Sequence, residues 1–403
     1  MSESESNWRE LAVAIILTTL VQALVSVTTF TPALLAPAAQ ADIGIAASSI
    51  GVFMAVMYFA ASICAPMGGA LVARYGPLRV SQHSLLWSGG GILLFATASP
   101  LLVGAGALLL GIGYGPITPA SSTILSGRMP DRLRNVVMSV RQSGVPIGGA
   151  LAGALVPSLL VAYGWRTAAL IVAGSCMVLV LVLQPWRQRY DHGRRAAQEV
   201  KRTSLLVPLR LVVGYAPLRR LALVSFTYAG AQMCFASYLA VFLTERAGMS
   251  LVVAGAVFST AMLGGVVGRI VWGLIADVAG NASAVLGLLG IVMGGSMLVL
   301  TQVNGQWPYA AVVVLCVALG ASAIGWNGVY VAELARVAPD GRIAQATGGA
   351  LAMTYFGVVV TPFVFWLIVT LSASYAIAFG AVGAVTLFAG ASNLFGTRKA
   401  TPA

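Results

Sequence analysis

Apolar residues run along the chain in long blocks, broken by short clusters of turn-formers and charges. The blocks fall at about 11–35, 48–73, 80–98, 101–125, 137–162, 166–186, 219–243, 251–276, 282–302, 308–335, 344–370 and 373–395. Each is long enough to cross a hydrocarbon core as a helix, for which roughly 20 residues suffice. The third and fourth are split only at Ser99-Pro100, which reads as a tight external turn. The pattern predicts an all-α membrane protein with twelve transmembrane helices.

Composition agrees. The chain is 59% hydrophobic and 8% charged, where a soluble chain carries about a quarter charged residues. Every acid, from Glu3, Glu5 and Glu10 to Glu333 and Asp340, falls in a tail, a loop or a span end. The net charge of +12 does not point to nucleic acid. Arg74 and Arg79, Arg128, Arg132 and Arg134, the run from Arg187 to Arg220, Arg336 and Arg342, and Arg398 and Lys399 all lie in loops or ends of one parity, whereas the other parity shows only Arg166 and Arg246. By the positive-inside rule both termini are cytoplasmic, in a multi-pass inner-membrane protein. Cys64, Cys176, Cys234 and Cys316 lie in apolar runs and read as small buried hydrophobes. The N-terminus is acidic where a signal peptide is basic, so the first block reads as a retained helix.

The chain repeats itself. Gly69-Ala70-Leu71-Val72-Ala73-Arg74-Tyr75-Gly76 closes the second block as Gly273-Leu274-Ile275-Ala276-Asp277-Val278-Ala279-Gly280 closes the eighth. Ser143-Gly144 and Thr347-Gly348 keep one offset early in the fifth and eleventh blocks, and Pro130-Asp131-Arg132 and Pro339-Asp340-Gly341-Arg342 occupy matching loops. The division is a six-helix bundle over 1–186, a basic cytoplasmic linker over 187–218 and a second six-helix bundle over 219–403. The segment from Leu205 to Val213 has two readings: an amphipathic helix on the inner membrane face, or plain linker beside anionic lipid.

The Gly273–Gly280 stretch resembles the Gly-x-x-x-Asp-x-x-Gly loop signature of the major facilitator superfamily. That resemblance covers residues 8–396 and implies two six-helix pseudo-repeats that rock about a midplane site. Arg269, four residues before Gly273, resembles the helix-8 arginine of the monocarboxylate transporters and the oxalate/formate exchanger, where it binds the substrate carboxylate. Ser139-Val140-Arg141-Gln142-Ser143-Gly144-Val145-Pro146-Ile147-Gly148-Gly149 is similar to a run in carriers related to the cyanate permeases. Two features depart from the superfamily: Ala73 stands for the signature aspartate of the first half, and Ala107 stands near the place of an arginine of drug/proton antiporters.

Arg269 lies eight residues before Asp277, about 12 Å deeper along a helix. An arginine in the middle of a bilayer costs about 2.5–3.5 kcal/mol or more, so it faces the bundle interior, and an anion is its natural partner. Arg141 sits a turn or two into its span, where two readings stand open: a second anion ligand, or a side chain snorkelling to the surface. Gln22, Thr28, Tyr58, Thr118, Tyr238, Trp326 and Tyr330 punctuate other spans, with interhelical hydrogen bonding as the alternative reading for each. The candidate substrate-binding set is Arg269, Arg141, Gln232, Tyr228, Asn327, Tyr114 and Tyr355. The candidate gating set is Asp277, Gly273, Gly280, Arg342, Gly69, Arg74 and Gly76, with Asp277 placed to cap or pair near Arg342, and Glu333 placed to form a salt bridge at the inner gate. No phosphate loop, metal helix or catalytic triad is present, so neither enzyme chemistry nor a cofactor or metal is expected. The chain reads as a monomeric carrier of a small mono- or dicarboxylate-like anion by alternating access. The alternatives are a drug or metabolite/proton antiporter and a membrane sensor that moves nothing. With no deep acid to titrate, the carrier is expected to be an exchanger, a facilitator or a symporter whose proton rides on the substrate or a gate residue.

Overall fold

The structure is a computed structural model that describes residues 3–126, 128–129, 134–191, 206–339 and 342–397. The Pro130–Arg132 loop, Asp340-Gly341 and residues 192–205 of the basic linker lie outside the described residues.

The described chain is helical throughout. The first half comprises α1 (Glu3–Ile43), α2 (Ile50–Cys64), α3 (Gly68–Tyr75), α4 (Pro77–Ala96), α5 (Pro100–Tyr114), α6 (Ile117–Ser126), α7 (Arg134–Gln142), α8 (Gly144–Tyr163), α9 (Trp165–Leu183) and α10 (Arg187–Tyr190). α11 (Leu206–Gly214) leads into α12 (Ala216–Glu245), α13 (Leu251–Ala279), α14 (Ala282–Leu300), α15 (Tyr309–Val337), α16 (Ile343–Ser372) and α17 (Tyr375–Thr397). Several first-half spans are built from two helices in line. Pro66 and Pro116 sit at two of the breaks, where a missing N–H and a bulky ring interrupt the ladder.

Among the described residues eleven helices are long and apolar enough to cross a membrane. The twelfth predicted span is α4, which is diluted by Ser81, Gln82, His83, Ser84 and Ser88. Ser81, Gln82, Ser84 and Ser88 are buried, so the polar side of α4 turns into the bundle and not toward lipid. Gln82 donates to the Val180 carbonyl and to Gln184 on the α9 side.

The chain divides into two compact units, one of residues 1–47 and 56–201, the other of 48–55 and 202–403. In the first unit α4 packs on α5 and α9, and α1 packs on α8. In the second, α14 pairs with α17, α13 with α15 and α12 with α16. Of the eleven helices long and apolar enough to cross, α12 is the most enclosed and the least apolar; α13, α15, α16 and α17 all touch it. α11 is a helix, as one reading of the linker expects, and it rests on α16, with the Pro208 carbonyl against Gly349.

Candidate functional site

The arrangement in the first unit starts from Pro146. It offers no N–H to Gln142, so the helix breaks there, and Ser143 closes a tighter turn onto the Val140 carbonyl at 3.1 Å. Across the break, Arg141, Gly144 and Gly148 share one face at helical spacing. That face meets α1 at close range. A Cβ at Gly144 would lie 2.9 Å from the Cβ of Gln22, and one at Gly148 would strike the Ala23 carbonyl. The glycines thus lay α8 against the α1 backbone, and Arg141 arrives beside Gln22.

Arg141 is 2% exposed; its side chain turns inward and does not snorkel. Its Nη2 donates to Gln22 Oε1 at 2.9 Å and to Thr118 Oγ1 at 3.4 Å. Its Nε and Nη1 are buried without a hydrogen-bond partner. Thr118 opens α6 just past the Gly115-Pro116 break and is itself exposed, so the guanidinium lies one side chain from an accessible surface. Tyr114, the last residue of α5, is within electrostatic range of Arg141 and meets the Tyr58 ring edge-on at 5.5 Å.

No acid neutralises Arg141 among the described residues. Glu10 pairs with Arg189 and Arg128, Asp42 with Arg166, and Asp191 with Arg187. A buried cation with unused donors is an anion receptor in waiting, because a carboxylate supplies both the missing charge and the missing acceptors.

The second unit holds a separate polar cluster. Arg269, half-buried on α13, donates from Nε to the Ile324 carbonyl at 3.3 Å. Asn327 donates to the same carbonyl and to Gln232 Oε1, both at 3.4 Å. Trp326 Nε1 reaches that Gln232 oxygen at 3.0 Å. Arg269, Gln232 and Asn327 are therefore brought together. Tyr228 joins only through its ring, edge-on to Trp326 at 5.8 Å; its hydroxyl donates to the Leu286 carbonyl at 2.8 Å, in space that Gly290 leaves open. Tyr355 is half-buried on α16. Trp272 lies over Gly325 of α15.

The candidate gating residues are more scattered. Gly280 caps α13 in the left-handed conformation, at φ +61. Asp277 is exposed and forms no ion pair among the described residues. Arg342 is the N-cap residue of α16 without a side-chain cap bond. Arg74 lies over the Tyr75 ring, Gly69 has open space around it, and Gly76 turns into α4 at φ +91. Glu333 is clasped within its own helix by Arg336, at 2.7 and 2.8 Å, and this fork holds the Arg336 guanidinium above its ordinary range.

Sequence reasoning passed over Asp191. Its Oδ1 accepts from the Leu78 amide at 2.9 Å, so it caps α4 from the far end of the unit. α4 begins Gly76-Pro77, with no capping side chain of its own, but nothing local names the residue that supplies one. Gln22 and Thr118 were visible only as polar residues in apolar blocks.

The comparisons with known proteins bear on what such a pair of sites serves. Residues 15–362 match the Major Facilitator Superfamily model. The chain is similar to the hexuronate transporter of Bacillus subtilis, 24% identical over a stretch that covers 63% of this chain and 61% of that protein. It is also similar to the probable sulfoacetate transporter SauU of Cupriavidus necator, 24% identical over 89% of this chain and 87% of the other. Among solved structures, a POT family transporter crystallised with 5-aminolevulinic acid superposes with a TM-score of 0.76 at 13% identity, over 96% of each chain, a likeness of fold alone. The chain belongs to the Major Facilitator Superfamily and is a multi-pass membrane transporter, not an enzyme.

Proposed function

We propose that the chain carries a small organic anion, mono- or dicarboxylate-like, across the inner membrane by alternating access, and that Arg141 receives its acid group. One observation carries this reading: a buried guanidinium whose Nε and Nη1 have no partner. The relatives support it, since both are described as transporters of organic acids. A hexuronate bears one acidic group and sulfoacetate two, so the names leave the charge of this cargo open. The loop arginines favour cytoplasmic termini.

A second reading puts the acid group at Arg269. It is favoured by the convergence of Arg269 and Asn327 on the Ile324 carbonyl beside Gln232. Uptake of radiolabelled organic acids into proteoliposomes separates the two. Arg141→Ala is expected to lower uptake about 30-fold or more, as loss of a buried charge-assisted bond of about 2 kcal/mol or more requires. Arg141→Lys, which keeps the charge and loses the fork, falls between. Near-normal uptake by well-folded Arg141→Ala, with loss in Arg269→Ala, decides for the second reading.

A further inference from the structure

We infer that the Arg141 site selects a singly charged anion, a monocarboxylate or monosulfonate, and that the neutral amide of Gln22 sets this limit. The inference rests on the reading of Arg141 as the anion's partner. Its ground is charge counting in a buried place. The groups bonded to the guanidinium are an amide and a hydroxyl. Tyr114, within electrostatic range of the guanidinium, is an uncharged phenol, and Tyr58 meets its ring. The acids of the first unit whose side chains the structure describes are engaged elsewhere: Glu10 on Arg189 and Arg128, Asp42 on Arg166 and the Trp165 indole, and Asp191 on Leu78 and Arg187. The site therefore holds a single fixed positive charge and no described negative one.

An uncompensated charge in low dielectric is disfavoured whatever its sign. A monoanion on Arg141 brings the buried sum to zero. A dianion of similar size reverses it and must strip water from a second acid group that has no cation to meet. The Nε–H and the Nη1–H pair remain as donors for the oxygens of an anion. Gln22 is the specificity determinant: a carboxylate of the same shape in its place would be a permanent internal occupant of the cation.

The test uses purified full-length protein and three matched pairs of probes at pH 7.5: butyrate with succinate, benzoate with phthalate, and ethanesulfonate with ethanedisulfonate. Binding is read by calorimetry. Each monoanion is expected to bind about tenfold or more tightly than its dianionic mate. Gln22→Glu, checked for folding by gel filtration, is expected to lose monoanion binding by about tenfold or more and to regain it as the pH is lowered. Thr118→Lys, which adds a second positive charge, is expected to turn the preference toward the dianions. Dianions that bind the wild-type protein as tightly as monoanions, with Arg141→Ala abolishing both, overturn the charge limit and leave the Arg141 reading standing. Monoanion binding that survives Arg141→Ala, or folded wild-type protein that binds neither member of any pair, overturns the Arg141 reading itself. The wild-type comparison decides the charge limit even where a variant fails to fold.

Discussion

Asp191 shows how one side chain can hold a helix it does not belong to. The start of α4 carries unpaired amides and the positive end of the helix dipole. Gly76 supplies the turn but no acceptor, and the carboxylate of Asp191 fits where a side chain on Gly76 would collide with it. Asp191→Ala is expected to destabilise the protein by about 1–2 kcal/mol, the usual worth of a capping carboxylate, and Asp191→Asn by less. Thermal unfolding in detergent measures both, and an unchanged midpoint for Asp191→Ala would remove the cap from the account. This contact was not legible in advance. Asp191 was visible as an acid in a basic loop, but its partner lies 113 residues away, and no local pattern reports a bond of that range. Arg141 was half legible: its type and depth marked it, while its direction depended on how its span, α7 and α8 together, is rotated against α1.

At the scale of elements, that rotation is fixed by the close crossing of α1 and α8. Gly148 is the tightest point, because an added methyl meets the Ala23 carbonyl and not a side chain that can turn away. Gly148→Ala is expected to cost about 1–3 kcal/mol, the range for overpacking a closed interface. It should also weaken anion binding by moving Gln22 relative to Arg141. Gly174→Ala on α9 has open space and should change neither; equal effects at the two glycines would show that the crossing does not position the site. Hydrophobic blocks gave the helices and most of their ends, since a span must be both long and apolar. They marked α4 as a span, but not that its hydroxyls and amide face the bundle, because block reading does not say which side of a span meets lipid.

Across the whole molecule, each unit has a glutamine on its first long span that accepts from the fourth or fifth span of the same unit. Gln22 on α1 takes Arg141, and Gln232 on α12 takes Trp326 and Asn327. The pseudo-repeat was readable from loop motifs, and this echo of it was not, because the echo lies in which neutral polar groups meet. The arginines do not follow the repeat: one stands in the fifth block and the other in the eighth, so the two units are not chemical copies. The enclosure of α12 has a consequence for how the chain is made. A helix that is only weakly apolar, and that ends among four later helices, leaves the ribosome before its partners exist. It must therefore wait at the insertion machinery, or sit in lipid poorly solvated, until α15, α16 and α17 have been synthesised. A chain stopped at residue 307 is expected to be cleared by membrane quality-control proteases within a fraction of the full-length lifetime, as pulse-chase labelling would read. Supplying residues 308–403 as a second polypeptide should restore its survival, whereas a truncated chain as long-lived as the full one would mean that α12 is settled in the membrane before its neighbours arrive.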